Sequence, residues 1–174
     1  MQHIYELARV VRLAAFDVDG IMTDGRLYYS ERGEELKVFD VRDGHGLKML
    51  QESGVELALI TSRSSRAVAL RAENLGIRRV YQGAGNKLET FHALLAELRL
   101  EPGAASFMGD DLVDLPVMRR CGLSCTVPEA PQEVRDVAHY VTRASGGRGA
   151  VREACELILR AQGNFDAQLR VHGS

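Results

Sequence analysis

Three aspartates and two glycines lie within ten residues near the start of the chain. The stretch is Phe16-Asp17-Val18-Asp19-Gly20-Ile21-Met22-Thr23-Asp24-Gly25, and it directly follows the apolar residues 13–15. In an extended segment, side chains two residues apart can point to one side, so Asp17 and Asp19 could both offer oxygens to a hard cation such as Mg²⁺. An Asp-x-Asp-Gly sequence also occurs in ordinary turns, so the rest of the chain must decide between turn and site.

A hydroxyl and an amine follow later segments of the chain. Thr61 comes directly after the apolar run 55–60, and its hydroxyl could donate to a phosphate oxygen or cap the next helix. Lys87 follows the glycine-containing segment 83–86 and could place a positive charge beside a phosphorylated ligand. Taken alone, a lysine at the start of a helix is more often simply solvated.

A second group of acids follows the segment 105–108. Gly109 is followed by Asp110 and Asp111, and Asp114 comes three residues later. Carboxylates gathered in this way repel one another unless a cation or a lysine balances them. The group therefore favours a site where negative charge is used.

Together these residues match what Mg²⁺-dependent phosphoryl transfer requires. A metal ion bridges carboxylates and phosphate, a carboxylate nucleophile splits hydrolysis into two displacements, and a lysine neutralises charge on the transferring oxygens. A second carboxyl group must carry the proton. The residues concerned are Asp17, Asp19, Thr61, Lys87 and Asp110.

Such side chains must be held by a scaffold, and strand and helix patterns alternate along the chain. This alternation predicts an α/β fold, a three-layer doubly wound and mostly parallel sheet with right-handed crossovers. Ligands of such folds bind beyond the carboxyl ends of the strands. Strands are predicted at 13–16, 55–60, 79–81, 104–108, 123–127 and 139–142, and a hairpin at about 26–39. Helices are predicted at 2–11, after Asp43-Gly44-His45-Gly46, at 64–75, 87–98 and 112–120, after Pro131 and at 151–161.

Length and composition favour one globular domain over residues 1–174, with a mobile tail at about 164–174. The chain is 45% hydrophobic, which suffices for a substantial core. A net charge of -2 and a pI near 6.2 give no sequence-wide basic field for nucleic acid, and no apolar stretch is long enough to span a membrane. Three cysteines cannot all pair within one chain, so we expect a reducing cytoplasm and small-molecule partners.

In this order, the motifs resemble those of the haloacid dehalogenase superfamily. The resemblance rests on Asp17-Val18-Asp19-Gly20, Thr61, Lys87, and Gly109-Asp110-Asp111 with Asp114. It implies that Asp17 is the nucleophile and that Asp19 is the general acid and base, with its backbone carbonyl on the metal. It also implies that Asp110 is a further ligand of Mg²⁺.

The same resemblance implies roles for the residues around the phosphate. Thr61 and Lys87 would hold the phosphate together with Ser62, which stands where the family usually has glycine. Asp111 and Asp114 would orient the metal's water and Lys87 rather than react. The departure at Ser62 puts the flexibility of the phosphate loop in doubt, not the reaction.

Within the superfamily, nearly the whole chain resembles the family of 3-deoxy-D-manno-octulosonate 8-phosphate phosphatases, which serve lipopolysaccharide biosynthesis. Members have no inserted cap domain and assemble as homotetramers that shield one another's sites, so the resemblance implies both features here. The substrate would be a sugar phosphate. The matching stretches are Val41-Arg42-Asp43-Gly44, Leu75-Gly76-Ile77, Tyr81-Gln82-Gly83, the run from Gly109 to Met118, and the run from Gly146 to Glu153.

The sugar's carboxylate needs a partner, and a planar guanidinium recognises it better than an ammonium does. Arg63 and Arg71 flank the helix after Thr61, and the family places an arginine of this region, of the same or an adjacent subunit, near that carboxylate. Arg148 is a weaker third candidate. Both of the first two could instead be solvated on a helix face.

The hairpin is the predicted assembly element. Leu27 and Tyr29 share one face of its first strand, and Leu36 and Val38 share one face of its second. That is more apolar surface than an isolated two-stranded ribbon can bury, so pairing hairpins of several subunits would hide it. A flap that folds over its own active site is the competing account.

Three other functions remain open. A response-regulator receiver domain also combines acids, a threonine and a lysine around Mg²⁺, although its phosphoacceptor should follow a middle strand, where this chain has Thr61. Capless phosphatases of nine-carbon sialic-acid-type sugars share the motifs. So do noncatalytic domains fused to sugar-activating enzymes, but this chain keeps every catalytic group.

Overall fold

The computed structural model describes residues 1–173 and contains one six-stranded sheet in which every neighbouring pair is parallel. A separate two-stranded antiparallel hairpin protrudes from it. In chain order the strands are β1 (Leu13–Phe16), β2 (Tyr28–Tyr29), β3 (Glu35–Leu36), β4 (Glu56–Ile60), β5 (Arg79–Tyr81), β6 (Ala105–Met108), β7 (Leu123–Thr126) and β8 (Tyr140–Val141). The order across the large sheet is β5-β4-β1-β6-β7-β8.

Helices cover both faces of the sheet, as the predicted three-layer architecture requires. They are α1 (Gln2–Arg9), α2 (Val41–Glu52), α3 (Arg66–Leu75), α4 (Lys87–Leu98), α5 (Leu115–Met118), α6 (Gln132–Val137), α7 (Ala150–Ala161) and α8 (Phe165–Gly173). One layer contains α2, which contacts α3 and α7, and α1, which also packs on α7. The other contains α4, α5 and α6, with α5 contacting both of its neighbours. The predicted α/β fold is confirmed.

Strand β1 lies at the centre of the core. All four of its residues are buried, because β4 and β6 pair with it along both edges and helices cover both faces. This explains why it is a continuous apolar run rather than an alternating one. The chain winds from β1 outward to β4 and β5, then returns past β1 to β6, so the switch point lies between β1 and β6. A crevice at that point is where doubly wound folds bind ligands.

The start of α2 differs from the prediction. The helix begins at Val41, and its N-cap is Asp40, whose side chain accepts a hydrogen bond from the backbone N–H of Arg42. Asp43, which the sequence placed before the helix, lies inside it and is buried. Its carboxylate instead accepts hydrogen bonds from the backbone N–H groups of Gly149 and Arg152, which belong to the first turn of α7. Asp43 therefore caps a helix more than a hundred residues away.

One predicted helix is shorter than expected, and the tail contains a helix of its own. The helix predicted at 112–120 begins as a 3-10 turn at Leu112–Asp114 and continues as the short α5. The tail expected to be mobile contains α8, whose Phe165 lies beneath the Arg160 guanidinium at 3.6 Å from the ring centroid. Ser174 lies outside the described residues. Within residues 1–173, no helix has both the length and the apolar character needed to cross a membrane.

The hairpin is shorter than predicted and its two faces differ. Tyr28 pairs with Leu36 and Tyr29 with Glu35, so the apolar pairs named from the sequence lie on opposite faces. The face bearing Tyr29 and Glu35 turns toward the body of the protein, where both contact Arg63. The other face bears Tyr28 and Leu36, which are 38% and 59% exposed.

Candidate active site

The candidate catalytic side chains meet at the carboxyl-terminal edge of the three central strands. Asp17 follows β1, Thr61 follows β4, and Gly109 leads from β6 to Asp110. The β1–β6 pairing extends one residue beyond the strand, because the backbone N–H of Asp17 donates to the carbonyl of Met108 at 2.9 Å. The first aspartate is therefore held as rigidly as the sheet itself.

Most of the site residues predicted from the sequence line one cleft of about 270 Å³. Asp114 lies beneath this cleft and is fully buried, whereas Arg71 lies elsewhere. The predicted residues along the cleft are Asp17, Asp19, Thr61, Ser62, Arg63, Lys87, Asp110 and Asp111. The sequence therefore identified a real cluster, although the chemical roles of its members stay predictions.

Lys87 links two buried carboxylates. Its Nζ lies 2.7 Å from Asp17 Oδ2 and 2.7 Å from Asp114 Oδ1, and its side chain is 3% exposed. Burial alone would lower the pKa of Lys87, but the charges and hydrogen bonds of the two aspartates outweigh burial and raise it. Lys87 is thus a fixed cation at the base of the cleft.

Asp114 supports the site from below. Its Oδ1 accepts from Lys87, and its Oδ2 accepts from the backbone N–H groups of Asp110 and Asp111 at 3.0 and 3.1 Å. One side chain therefore fixes both the lysine and the loop that carries the second acidic group. Asp111 caps the following 3-10 turn through the backbone N–H of Leu112.

The carboxylates at the cleft floor are poorly compensated. Burial and the neighbouring Asp114 raise the pKa of Asp17 to about 6, despite Lys87. Burial, Asp17 and Asp114 together raise the pKa of Asp110 to about 7. One oxygen from each of these three aspartates lies within 4.8 Å of the others, so an added cation would relieve their repulsion.

The donor set fits Mg²⁺, which prefers carboxylate and carbonyl oxygens. Because Asp17 and Asp110 line the cleft whereas Asp114 is fully buried and does not, Asp17 and Asp110 are the carboxylates best placed to hold the ion. Gly20 preserves the space that Asp110 needs, since a Cβ at this glycine would overlap Asp110 Oδ2.

Thr61 and its neighbours form the other wall of the cleft. The backbone N–H of Thr61 donates to the carbonyl of Tyr81, and its own carbonyl accepts from the N–H of Ala84. Thr61 is buried and its backbone is fixed against the end of β5 and the segment that follows it, whereas Ser62 and Arg63 are exposed. A hydroxyl, a lysine and a pair of acids then surround a space suited to a phosphate group.

The hairpin adds charged residues to the mouth of this cleft, and no local sequence pattern predicted their position there. Lys37 Nζ contacts Asp19 Oδ1 and lies 3.1 Å from Glu35 Oε1. Arg63 lies 3.0 Å from the same Glu35 oxygen and 3.7 Å from Asp19 Oδ2, and it donates to the hydroxyl of Tyr29. Within this chain, the hairpin is therefore a flap that contacts its own site.

Arg71 is separate from the cleft of its own chain. It donates to the backbone carbonyl of Asp40 at 3.1 Å and lies over the ring of Phe39 at 5.7 Å. A Cβ atom at position 44 would overlap the guanidinium of Arg71. The lack of a side chain at Gly44 therefore lets Arg71 pack against α2. The structure thus brings Arg63, but not Arg71, to the predicted site of this chain.

The glycine-rich loop at 146–149 packs against the first acidic loop, which is the segment 17–25 that carries Asp17 and Asp19. The backbone N–H of Gly147 donates to the carbonyl of Ile21, and a Cβ at Gly146 would overlap the carbonyl oxygen of Gly20. Glu153 holds the start of this loop by accepting from the backbone N–H groups of Arg143 and Ala144. The turn that positions Asp19 is therefore fixed by contacts from the far end of the chain.

Comparison with known protein families gives a match over residues 77–153, to the model of haloacid dehalogenase-like hydrolases. Curated relatives match over nearly the whole chain. The 3-deoxy-D-manno-octulosonate 8-phosphate phosphatase KdsC of Yersinia pestis is 47% identical, covering 94% of this chain and 87% of that protein. The protein of the same name from Escherichia coli (strain K12) is 48% identical, covering 91% and 85%.

Solved structures are similarly close. The crystal structure of 3-deoxy-D-manno-octulosonate 8-phosphate phosphatase from Moraxella catarrhalis, in complex with a magnesium ion, a phosphate ion and KDO, superposes with a TM-score of 0.97. It is 45% identical, and the match covers 99% of each chain. A probable phosphatase from Pseudomonas syringae is 49% identical, with a TM-score of 0.98 over 100% of this chain and 99% of that one.

Proposed function

Because the chain belongs to the haloacid dehalogenase-like hydrolases, we propose that it is a Mg²⁺-dependent phosphomonoesterase acting on 3-deoxy-D-manno-octulosonate 8-phosphate. The products are the free octulosonate and inorganic phosphate. The observation that carries the proposal is the Asp17–Lys87–Asp114 arrangement beside Asp110, at the switch point of the sheet. It supplies a held carboxylate, a cation and a metal-binding pair in one cleft.

Asp17 is the proposed nucleophile. Its Oδ1 accepts from the backbone N–H of Val18 and its Oδ2 lies against Lys87, so both oxygens have fixed directions. Attack of one oxygen on phosphorus forms an aspartyl-phosphate and breaks the bond to the sugar oxygen. Lys87 and the Thr61 hydroxyl are placed to hold the phosphoryl oxygens during this step.

Asp19 is the proposed general acid and base. It donates a proton to the departing sugar oxygen, and the resulting carboxylate then takes a proton from the water that attacks the aspartyl-phosphate. Asp19 lines the same cleft as Asp17 and its side chain is more exposed, which suits contact with the leaving group. Asp111 lines the same cleft and is assigned a supporting role.

Asp17, Asp110 and the backbone carbonyl of Asp19 would hold Mg²⁺, which would supply positive charge to neutralise the phosphoryl group during its transfer. Support for this set comes from the raised pKa values of Asp17 and Asp110, which reflect carboxylates lacking a sufficient counter-charge. Asp114 is occupied with Lys87 and backbone N–H groups, so its role is to position them.

The sugar end of the substrate carries a carboxylate, for which Arg63 is the proposed partner in this chain. Its guanidinium is at the cleft mouth and already contacts the carboxylate of Glu35. Arg71 contacts the base of the hairpin instead, so we propose that it acts toward the site of an adjacent subunit.

A homotetramer is also part of the proposal. The hairpin's outer face leaves Leu36 59% and Val38 64% exposed, and neither belongs to the hydrophobic core that the described residues form. Covering this face with hairpins of other subunits would remove it from water and enclose the cleft. The three cysteines are buried free thiols, which supports the proposal of a reducing cytoplasmic location.

Phosphate release from a panel of eight- and nine-carbon keto-acid sugar phosphates, with Mg²⁺ and with a chelator, tests the proposal. We expect the octulosonate 8-phosphate to give the highest kcat/KM. A higher value for a nine-carbon sugar would reassign the substrate but keep the chemistry. A long-lived phosphoprotein without phosphate release would instead indicate a receiver module and would overturn the proposal.

A further inference from the structure

Lys37 has a shielded side chain although it belongs to an exposed hairpin. Its side chain is 2% exposed, whereas the residues on either side of it, Leu36 and Val38, are 59% and 64% exposed. Burying an ammonium is costly unless anions compensate it closely. A lysine held in this way therefore needs a reason beyond the packing of a two-stranded ribbon.

The contacts of Lys37 join the hairpin to the first acidic loop. Its Nζ contacts Asp19 Oδ1 and lies 3.1 Å from Glu35 Oε1. Burial alone would lower the pKa of Lys37, but the hydrogen bonds and charges of Asp19 and Glu35 outweigh burial and raise it. The ammonium therefore stays charged and bridges two carboxylates from different parts of the chain.

The Asp19 carboxylate has both oxygens directed by cations. Oδ1 contacts Lys37, and Oδ2 lies 3.7 Å from the Nε of Arg63, which is itself fixed by Glu35. Asp17, by contrast, is held by Val18 and Lys87 on the opposite side. The two aspartates of the first acidic loop are thus turned toward different cations.

We propose that Lys37 is a positioning residue that sets the orientation of Asp19, so that its carboxyl group faces the leaving-group oxygen. This inference rests on the proposed function, in which Asp19 transfers the proton. Lys37 itself does not touch the phosphoryl group. Glu35 fixes the lysine, so the hairpin positions the acid and base as well as covering the cleft.

This role predicts a dependence on the leaving group. A phenolate with electron-withdrawing substituents departs without a proton, whereas a sugar alkoxide requires one. Misplacing a catalytic group by about 1 Å can cost about 10²-fold in rate. Replacing Lys37 with a side chain of similar length but no charge should therefore affect the two kinds of substrate differently.

The test uses Lys37→Met with a series of aryl phosphates, from p-nitrophenyl phosphate to phenyl phosphate, and with the sugar phosphate. We expect kcat/KM for p-nitrophenyl phosphate to change little, and that for phenyl phosphate and the sugar phosphate to fall by about 10²-fold. The slope of log kcat/KM against leaving-group pKa should steepen. Lys37→Arg, which can still donate to both carboxylates, should recover most of the parent slope.

Arg12→Met is the matched control, because Arg12 is an exposed cation directly before β1, at the end of the sheet opposite this cleft. It should leave the slope unchanged. An equal fall of Lys37→Met on every substrate, or an unchanged slope, would overturn the positioning role while leaving the proposed function in place. A parent protein that releases phosphate from none of these esters would overturn both.

Discussion

Asp114→Asn is expected to destabilise the protein although it changes only one atom. The amide oxygen can still accept from the backbone N–H groups of Asp110 and Asp111, so those hydrogen bonds are retained. The other position becomes an NH₂ group that faces the Lys87 ammonium in place of a carboxylate oxygen at 2.7 Å. The substitution therefore isolates the buried ion pair.

The size of the loss follows from burial. Removing one partner of a buried ion pair typically costs about 3–5 kcal/mol, and Lys87 retains Asp17 as its second carboxylate, which places the loss near 3 kcal/mol. For a domain of this size, that loss lowers the midpoint of thermal unfolding by about 6–12 °C. The loss should be smaller with a chelator present, because Asp114 also repels Asp17 and Asp110 when no cation compensates them.

Thermal and urea unfolding with saturating Mg²⁺ measure this loss. Asp111→Asn is the matched control, because Asp111 is exposed and caps a turn, a task that asparagine performs equally well. Its unfolding free energy should stay within about 0.5 kcal/mol of the parent value. If Asp114→Asn were no less stable than this control, the buried pair would not hold the site together.

Three further outcomes are expected. Arg71→Ala should raise KM for the sugar phosphate and hardly change p-nitrophenyl phosphate hydrolysis, and equal losses on both substrates would make Arg71 structural. Replacing Leu36 and Val38, which share the outer face of the hairpin, together with Asp should give smaller species by light scattering and lower activity on the sugar phosphate; a variant with the parent mass would refute the assembly role of the hairpin. The pKa values of Asp17 and Asp110 are raised, so without metal the folded protein holds these protons more tightly than the unfolded chain does. Its free energy of unfolding therefore falls as pH rises from about 4 to 7. Mg²⁺ competes with the same protons for these carboxylates. The rise in unfolding midpoint caused by Mg²⁺ should therefore be larger at about pH 8 than at about pH 5.5, and an equal rise at both would count against these residues as the ligands.

The catalytic cluster could be predicted because it depends on a rule of topology. Asp17, Thr61 and Asp110 each follow an apolar run, and parallel strands bring their carboxyl ends to one edge. The spacing within the chain was therefore enough to group them. Asp114 can be buried because the positive charge of Lys87 balances its carboxylate. The cluster of acids in the sequence already indicated that a cation was needed there.

Contacts between distant segments could not be predicted from local patterns. Asp40 and Asp43 are both suitable caps by type, and only the packing of α7 against α2 explains why Asp43 faces a different helix. Lys37 has the sequence pattern of a polar hairpin residue, and its burial depends on how the ribbon folds against Asp19. The faces of the hairpin were misjudged for the same reason, since the register depends on the turn between the strands.

Trapping of phosphate on Asp17 shows directly whether this carboxylate is the nucleophile. Asp19→Asn should still allow attack by Asp17 on a good leaving group while slowing the attack of water, so p-nitrophenyl phosphate labelled in its phosphate should leave label on the protein. We expect acid-stable label on the peptide that contains Asp17, and no label when Asp17→Asn is combined with Asp19→Asn. Parent-like phosphate release by Asp17→Asn, or label on another residue, would contradict it.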